Sequence, residues 1–188
     1  MNQGHLEFLA SARWAEMLKT DLLPWVERVG SLGDHVLEIG PGPGLTTDLV
    51  RSRVPRVTAV EVDPDLAGAL AGRLAGTNVT VLCADATEAG LRQDAFSSVM
   101  CFSMLHHMAS AQAQDRLFAE VRRVLQPGGL FVGVDAIDSE PIRRGHADDT
   151  FVPVDPGTMA DRLSAAGLSE CVIEPTDYQF RFSAHRPG

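Results

Sequence analysis

One stretch, Val36-Leu37-Glu38-Ile39-Gly40-Pro41-Gly42-Pro43-Gly44-Leu45-Thr46-Thr47, constrains this chain more than any other. A short apolar run (Val36, Leu37, Ile39) ends in glycines at alternate positions, and the residues after them are able to begin a helix. The pattern predicts a strand, a tight loop and a helix in succession. Glycine is favoured where a loop takes positive φ or where a ligand approaches the backbone more closely than a Cβ allows. Gly40, Gly42 and Gly44 therefore predict a ligand lying against the main chain. The dinucleotide fingerprint Gly-x-Gly-x-x-Gly fits poorly, because Leu45 stands where its third glycine belongs.

With Glu38 two residues before Gly40, the loop has the form Glu-x-Gly-x-Gly-x-Gly and resembles motif I of the class I S-adenosylmethionine-dependent methyltransferases. In that family the loop wraps the amino-acid end of the cofactor, and the acid contacts its ammonium region. A second strand is expected over 57–63, with Glu61 near its carboxyl end, where one carboxylate can accept hydrogen bonds from both ribose hydroxyls. A third, over 79–87, carries Asp85; that carboxylate and the N–H of Ala86 answer the donor and acceptor of an adenine ring. Three acids, Glu38, Glu61 and Asp85, thus end successive strands at the family's spacing. The resemblance implies S-adenosylmethionine as cofactor, bound by Glu38, Gly40, Gly42, Gly44, Glu61, Val62, Asp85, Ala86 and Ser103.

Helices over 45–53 and from Pro64 to Leu74 alternate with these strands, and near-continuous apolar strands imply right-handed crossovers in a parallel sheet. The fourth strand, 96–103, leads into Met104-Leu105-His106-His107-Met108. This resembles the type 11 small-molecule branch, in which a Phe-Asp-x-Val run precedes Leu-His-His; Ser97 replaces the aspartate, a change expected to bear on packing. A helix over 112–125, a Pro127-Gly128-Gly129 turn, a strand over 130–135, a long loop over 136–154, a helix capped by Asp155 and a hairpin of 170–173 with 179–183 follow. The resemblance covers about residues 34–186. It implies an α/β fold, doubly wound around a mostly parallel seven-stranded sheet with an antiparallel last strand, in one domain of residues 1–188.

Residues 1–30 are expected to form a helical cap: an amphipathic helix over 5–19, then a short helix over 22–29 with Asp21 as its cap and Pro24 in its first turn. Such a cap either covers the sheet edge or closes over the cofactor. The second case brings His5, Phe8 or Trp14 to the site.

A net charge of −9, with Lys19 the only lysine, opposes non-specific attraction to nucleic acid or anionic lipid. No apolar run nears the roughly 18 residues of a membrane span, and the first residues lack a basic segment followed by an apolar core. A cytoplasmic protein without stable membrane association is expected. Cys83, Cys101 and Cys171 are far apart and sit in apolar segments, the pattern of buried free thiols.

The sulfonium methyl is already activated, so alignment supplies much of the acceleration, and a hydroxyl acceptor gains further from a general base. His106 and His107, following strand four, are the candidate catalytic residues. Asp135, at the end of strand five, and His146, in the loop beyond it, are the candidate substrate contacts. Together with Asp148 and Asp149 they offer oxygen and nitrogen ligands but no tight ligand spacing, so a solvated loop and no metal are expected. The expected reaction is methyl transfer to a small-molecule acceptor, O-methylation before N- or S-methylation. The alternatives are a protein or quinone-like lipid acceptor, or a non-catalytic S-adenosylmethionine-binding module. Methylation of nucleic-acid bases is disfavoured, because Ser103-Met104-Leu105-His106 replaces the Asn-Pro-Pro-Tyr type of segment. The motifs name neither the acceptor nor the oligomeric state.

Overall fold

The computed structural model describes residues 3–147 and 149–188. Seven strands form one sheet in the order β3-β2-β1-β4-β5-β7-β6: β1 (His35–Ile39), β2 (Arg56–Glu61), β3 (Val79–Cys83), β4 (Phe96–Phe102), β5 (Leu125–Ala136), β6 (Ser169–Pro175) and β7 (Gln179–His185). The first five run parallel to one another, and β7 runs antiparallel to both β5 and β6. The doubly wound sheet with one antiparallel strand is as expected. Because β1 and β4 are adjacent while their connections leave in opposite directions, the strand order reverses there, and the crevice at such a switch point is where open α/β sheets bind ligands.

Successive residues of the central strands point to opposite faces and bury both. Leu37, Val99, Cys101, Phe131 and Phe182 enter one core, covered by α6 (Ala111–Val124) and α8 (Pro156–Ala165). Val36, Met100, Val132 and Val134 enter the other, covered by the N-terminal helices and α4 (Leu45–Val50). On that second face α5 (Pro64–Arg73) sets Leu70 against Ala59. The edge strand β3 is less deeply buried than the expected two-sided burial, since no neighbour lies beyond it.

The cap differs from its expected outline. α1 (Gln3–Leu9) and α2 (Ala12–Met17) replace one long helix, because the Ser11 hydroxyl accepts the Trp14 N–H at 3.2 Å and starts a new one. A π-helical turn, Leu18–Leu22, then runs directly into α3 (Leu23–Val29). Asp21 caps nothing; it pairs with Arg181 of β7. Leu18, Leu22, Leu23 and Val26 are fully buried, so continuity of the apolar stripe outweighs the break that the polar residues implied.

Two further boundaries moved. β5 begins at Leu125, which pairs with Phe96 before a bulge takes up Pro127 to Gly129. Within the expected loop 136–154 lies a short helix, α7 (Glu140–Gly145), with Pro141 at its start. It carries no apolar stripe to betray it, and ion pairs of Arg143 with Asp138 and Arg144 with Glu140 brace it instead. Ser97 bears on packing, as expected: its hydroxyl accepts the His35 N–H at 3.0 Å and reaches the Leu32 carbonyl at 2.7 Å, fixing the entry to β1.

Candidate active site

The glycine loop joins β1 to α4 at the carboxyl edge of the sheet. Gly40 and Gly44 take φ of 67° and 85°. A Cβ on Gly40 would lie 2.4 Å from Met104 Cγ, and one on Gly44 2.3 Å from Leu70 Cδ1. These two glycines thus serve the close approach of other side chains as well as of a ligand. Gly42 differs, since its nearest neighbour in that direction, Leu9 Cδ1, stands 3.8 Å off and belongs to the cap.

Each acid is placed by a specific bond. Glu38 faces the cap side of β1, buried, with Oε2 accepting the Thr47 hydroxyl at 2.6 Å. Burial raises its pKa to about 7, more than the Thr47 bond lowers it, and Asp48 and Glu61 add to the rise. Glu61, the last residue of β2, accepts the Gly42 N–H at 3.0 Å on Oε2 and the Asp63 N–H at 3.0 Å on Oε1. It therefore shapes the loop, and a carboxylate's remaining lone pairs are left for other donors. Asp85 follows β3 and is exposed, with Oδ1 accepting the Thr87 N–H at 2.8 Å and hydroxyl at 2.7 Å. Val62 is largely exposed and Ala86 half-buried beside these acids, while Ser103, at the end of β4, holds a strained φ of 52°. The gap between Leu9, Trp14, Glu38, Gly40 and Phe102 measures about 10 Å³, so the cap closes directly onto the loop.

A second constellation adjoins the first through Met104. The 3₁₀ turn Leu105–His107 follows β4, and it is fixed by Asp135, which is wholly buried. Asp135 Oδ2 accepts the Leu105 N–H at 2.8 Å, and Oδ1 meets His106 Nδ1 at 2.5 Å and the Ala136 N–H at 2.7 Å. Gln114 of α6 clamps the turn from the other side, donating to the carbonyls of Leu105 at 3.0 Å and Val152 at 2.9 Å. Around His106 stand the rings of His107, His146 and His5, with centroids 4.2, 4.8 and 5.6 Å away. His146, just after α7, is held by its own Nδ1 against the Ile142 carbonyl at 2.8 Å, and its Nε2 meets His5 Nδ1 at 3.0 Å. His107 Nδ1 lies 3.6 Å from Asp149.

Two of these imidazoles, His5 and His107, resist protonation. Burial, then the neighbouring His106 and His146, lower the pKa of His5 to about 4; burial, then His106 and His5, lower that of His107 to about 3. His106 Nε2 and both nitrogens of His107 are buried and find no hydrogen-bond partner among the described residues.

The expected catalytic pair, His106 and His107, and the expected substrate contact His146 therefore stand together. Asp135 does not fit a substrate contact: with no exposed surface and both oxygens committed inward, it orients His106 instead. Asp148 lies outside the described residues. Of the cap residues, His5 joins the cluster and Trp14 lines the gap at Glu38, whereas Phe8 is 40% exposed and only flanks Trp14. Sequence reasoning missed Thr47 and Gln114, whose partners lie 9 and 9 or more positions away. A buried-facing polar residue on an otherwise apolar helix stripe was the signal for both.

The Methyltransferase domain family of type 11 matches residues 37–133, just over half of the chain. The chain is 41% identical over 95 residues to the probable ribosomal RNA small subunit methyltransferase A of Haloarcula marismortui; the match takes in 48% of this chain and 32% of that protein. It thus spans about a third of the length of that relative. A solved S-adenosylmethionine-dependent methyltransferase from Archaeoglobus fulgidus superposes with a TM-score of 0.77 over 96% of this chain and 97% of its own, at 16% identity. The phosphoethanolamine N-methyltransferase 2 of Haemonchus contortus, solved with S-adenosyl-L-methionine, gives the same score over 88% and 52% at 16% identity. The site has the chemistry to suit that cofactor: Glu38 is buried with, among the described residues, only the Thr47 hydroxyl bonded to it, and Glu61 and Asp85 hold carboxylate acceptors at neighbouring strand ends. The chain belongs to the class I S-adenosylmethionine-dependent methyltransferases, in the type 11 methyltransferase-domain family.

Proposed function

We propose that this enzyme methylates a hydroxyl of a small molecule, with the acceptor admitted between the glycine loop and the histidine cluster. The observation that carries the reading is the buried Asp135–His106 pair, one turn from the residue that packs on Gly40. Asp135 receives the Nδ1 proton side of His106 and so leaves Nε2 as the basic nitrogen. S-adenosylmethionine, when bound, supplies the activated methyl group. His106 takes the acceptor's hydroxyl proton at Nε2 as the oxygen gains the methyl, and a positioned base of this kind contributes about 10²-fold or more. Glu38, Glu61 and Asp85, with Gly40, Gly42, Gly44, Val62, Ala86 and Ser103, hold the cofactor; His107 and His146 line the acceptor side. Since Leu9 and Trp14 leave only about 10 Å³ beside Glu38, α1 and α2 move outward to admit either ligand.

The experiment is incubation of the protein with labelled S-adenosylmethionine and fractionated cell extract, with mass identification of what gains the label. Label in a small hydroxylated compound supports the reading; label only in RNA, protein or quinone-like lipid overturns it, and no transfer despite cofactor binding marks a non-catalytic module. The RNA reading has one observation in its favour, the likeness to the probable ribosomal RNA methyltransferase of Haloarcula. Against it stand a net charge of −9 and the absence of lysines apart from Lys19. A cytoplasmic protein of one domain fits the same reading, and among the described residues no helix is long and apolar enough to cross a membrane.

A further inference from the structure

We propose that His5, His106, His107 and His146 form a binding site for one divalent transition-metal ion of the zinc class, which fastens the cap to the body of the enzyme. One ring nitrogen from each of the four lies within 4.8 Å of the others. A tetrahedral zinc site has Zn–N of about 2.0–2.1 Å, which sets its ligand nitrogens roughly 3.3 Å apart. His5 Nδ1 and His146 Nε2 already stand 3.0 Å apart, so small rotations of the side chains bring the set to that geometry. An all-imidazole set suits zinc, copper, nickel or iron and not the hard, oxygen-seeking magnesium and calcium.

The outer contacts are those a metal-binding histidine uses. Such a ligand gives its second ring nitrogen to a carboxylate or carbonyl, which fixes the ring and its tautomer. His106 Nδ1 meets Asp135 and His146 Nδ1 meets the Ile142 carbonyl at 2.8 Å, while His107 Nδ1 is turned to Asp149 at 3.6 Å, beyond hydrogen-bond distance. In each case Nε2 is the nitrogen left for the ion. Two of these, on His106 and His107, are buried with no hydrogen-bond partner among the described residues, and a metal ion satisfies both at once. The ligands come from α1, the turn after β4 and the end of α7, so an ion bound by all four ties the cap to two separate parts of the core. His5 sits one helical turn before Leu9, the residue over Gly42, so the tie reaches the cofactor loop. With the ion bound, the imidazoles act as ligands and not as bases, which sets this metal-held form apart from the turnover described above.

The test is titration of chelator-treated, full-length protein with Zn²⁺ alone, and separately with Co²⁺. The expected result is one Zn²⁺ per chain, about tenfold or more weaker in each of His5→Ala and His146→Ala, as loss of a metal-site residue implies. Melting of the metal-free variants checks that they fold. Should they not, the wild-type Co²⁺ complex decides: intense tetrahedral d–d bands without a thiolate charge-transfer band support the site. No saturable binding, binding indifferent to the two substitutions in folded variants, or a thiolate band from the cysteines would overturn it. None of these results depends on the acceptor's identity, so the metal site and the hydroxyl reading stand or fall separately.

Discussion

The two ends of the proposed active site, one for the cofactor and one for the acceptor, are built in opposite ways. At the cofactor end, one continuous stretch from Glu38 to Thr47, joined by Glu61 and Asp85 at neighbouring strand ends, supplies the groups, and local bonds such as Thr47 to Glu38 and Gly42 to Glu61 set them. At the acceptor end, His5, His106, His107 and His146 arrive from three segments, the first and last 141 positions apart. The cofactor end buries a carboxyl that would rather be neutral; the acceptor end buries imidazoles that would rather be neutral. Desolvation acts alike on both, and because the groups carry opposite charges it gives the two ends opposite responses to pH.

That contrast leads to the largest effect. Glu38 has a folded pKa of about 7 against an ordinary 4.5, so the folded state holds a proton that the unfolded state has lost. Its contribution costs nothing below pH 4.5, destabilises increasingly as pH rises towards 7, and at higher pH amounts to something on the order of 3 kcal/mol. His5 and His107 work the other way: the unfolded chain protonates them first, so stability falls as pH drops from 6.5 towards their folded values of about 4 and 3. Both are partly solvated, and Asp135 and Asp149 counter the loss, so this acid limb is the shallower. Denaturant unfolding of the metal-free, cofactor-free protein across pH should show Glu38→Gln flattening only the alkaline limb and His5→Gln only the acid limb. The same Glu38→Gln change should weaken S-adenosylmethionine, since a carboxylate matches its ammonium group and an amide does not.

Next in size, and specific to the acceptor end, His106→Ala should lower turnover by about 10²-fold with cofactor affinity intact. Stopped-turnover assays beside calorimetric titration of S-adenosylhomocysteine separate the two quantities. A variant that loses cofactor binding as well would dissolve the division between the ends.

Glu61→Ala tests the cofactor end alone. Beyond the proposed contacts to the ribose, it removes the acceptors of Gly42 N–H and Asp63 N–H, so the loop should loosen as affinity falls. Affinity for S-adenosylhomocysteine should drop at least about tenfold, the worth of one charge-assisted hydrogen bond, and hydrogen exchange at Gly42 should quicken. The sequence alone pointed to ribose and missed this second duty, because a backbone N–H donor 19 positions upstream has no signature in residue types.

The smallest effect lies between the ends. Ser103→Gly relieves a left-handed φ of 52° but adds flexibility to the unfolded chain, leaving a net gain below about 1 kcal/mol, readable as a slight rise in melting temperature. Loss of cofactor affinity in this variant would give the Ser103 side chain a binding role.

The sequence by itself determined the sheet and where the glycine loop, Glu38, Glu61 and Asp85 stand on it. Alternating glycines, an acid at each of three strand ends and apolar strands buried on both faces are properties of neighbours in the chain, legible because backbone geometry fixes what neighbours do. The π-helical run through Asp21, the six-residue α7 and the start of β5 at Leu125 were not legible, since packing of Leu18 and Leu22, ion pairs and a bulge overrode local signals there. Only the tertiary structure decided that Asp135 turns inward to hold His106, and that His5 and His146 close on it. Those contacts depend on how the cap, the turn after β4 and α7 meet in space, and no spacing along the chain encodes a distance between segments whose packing is set by the cores beneath them.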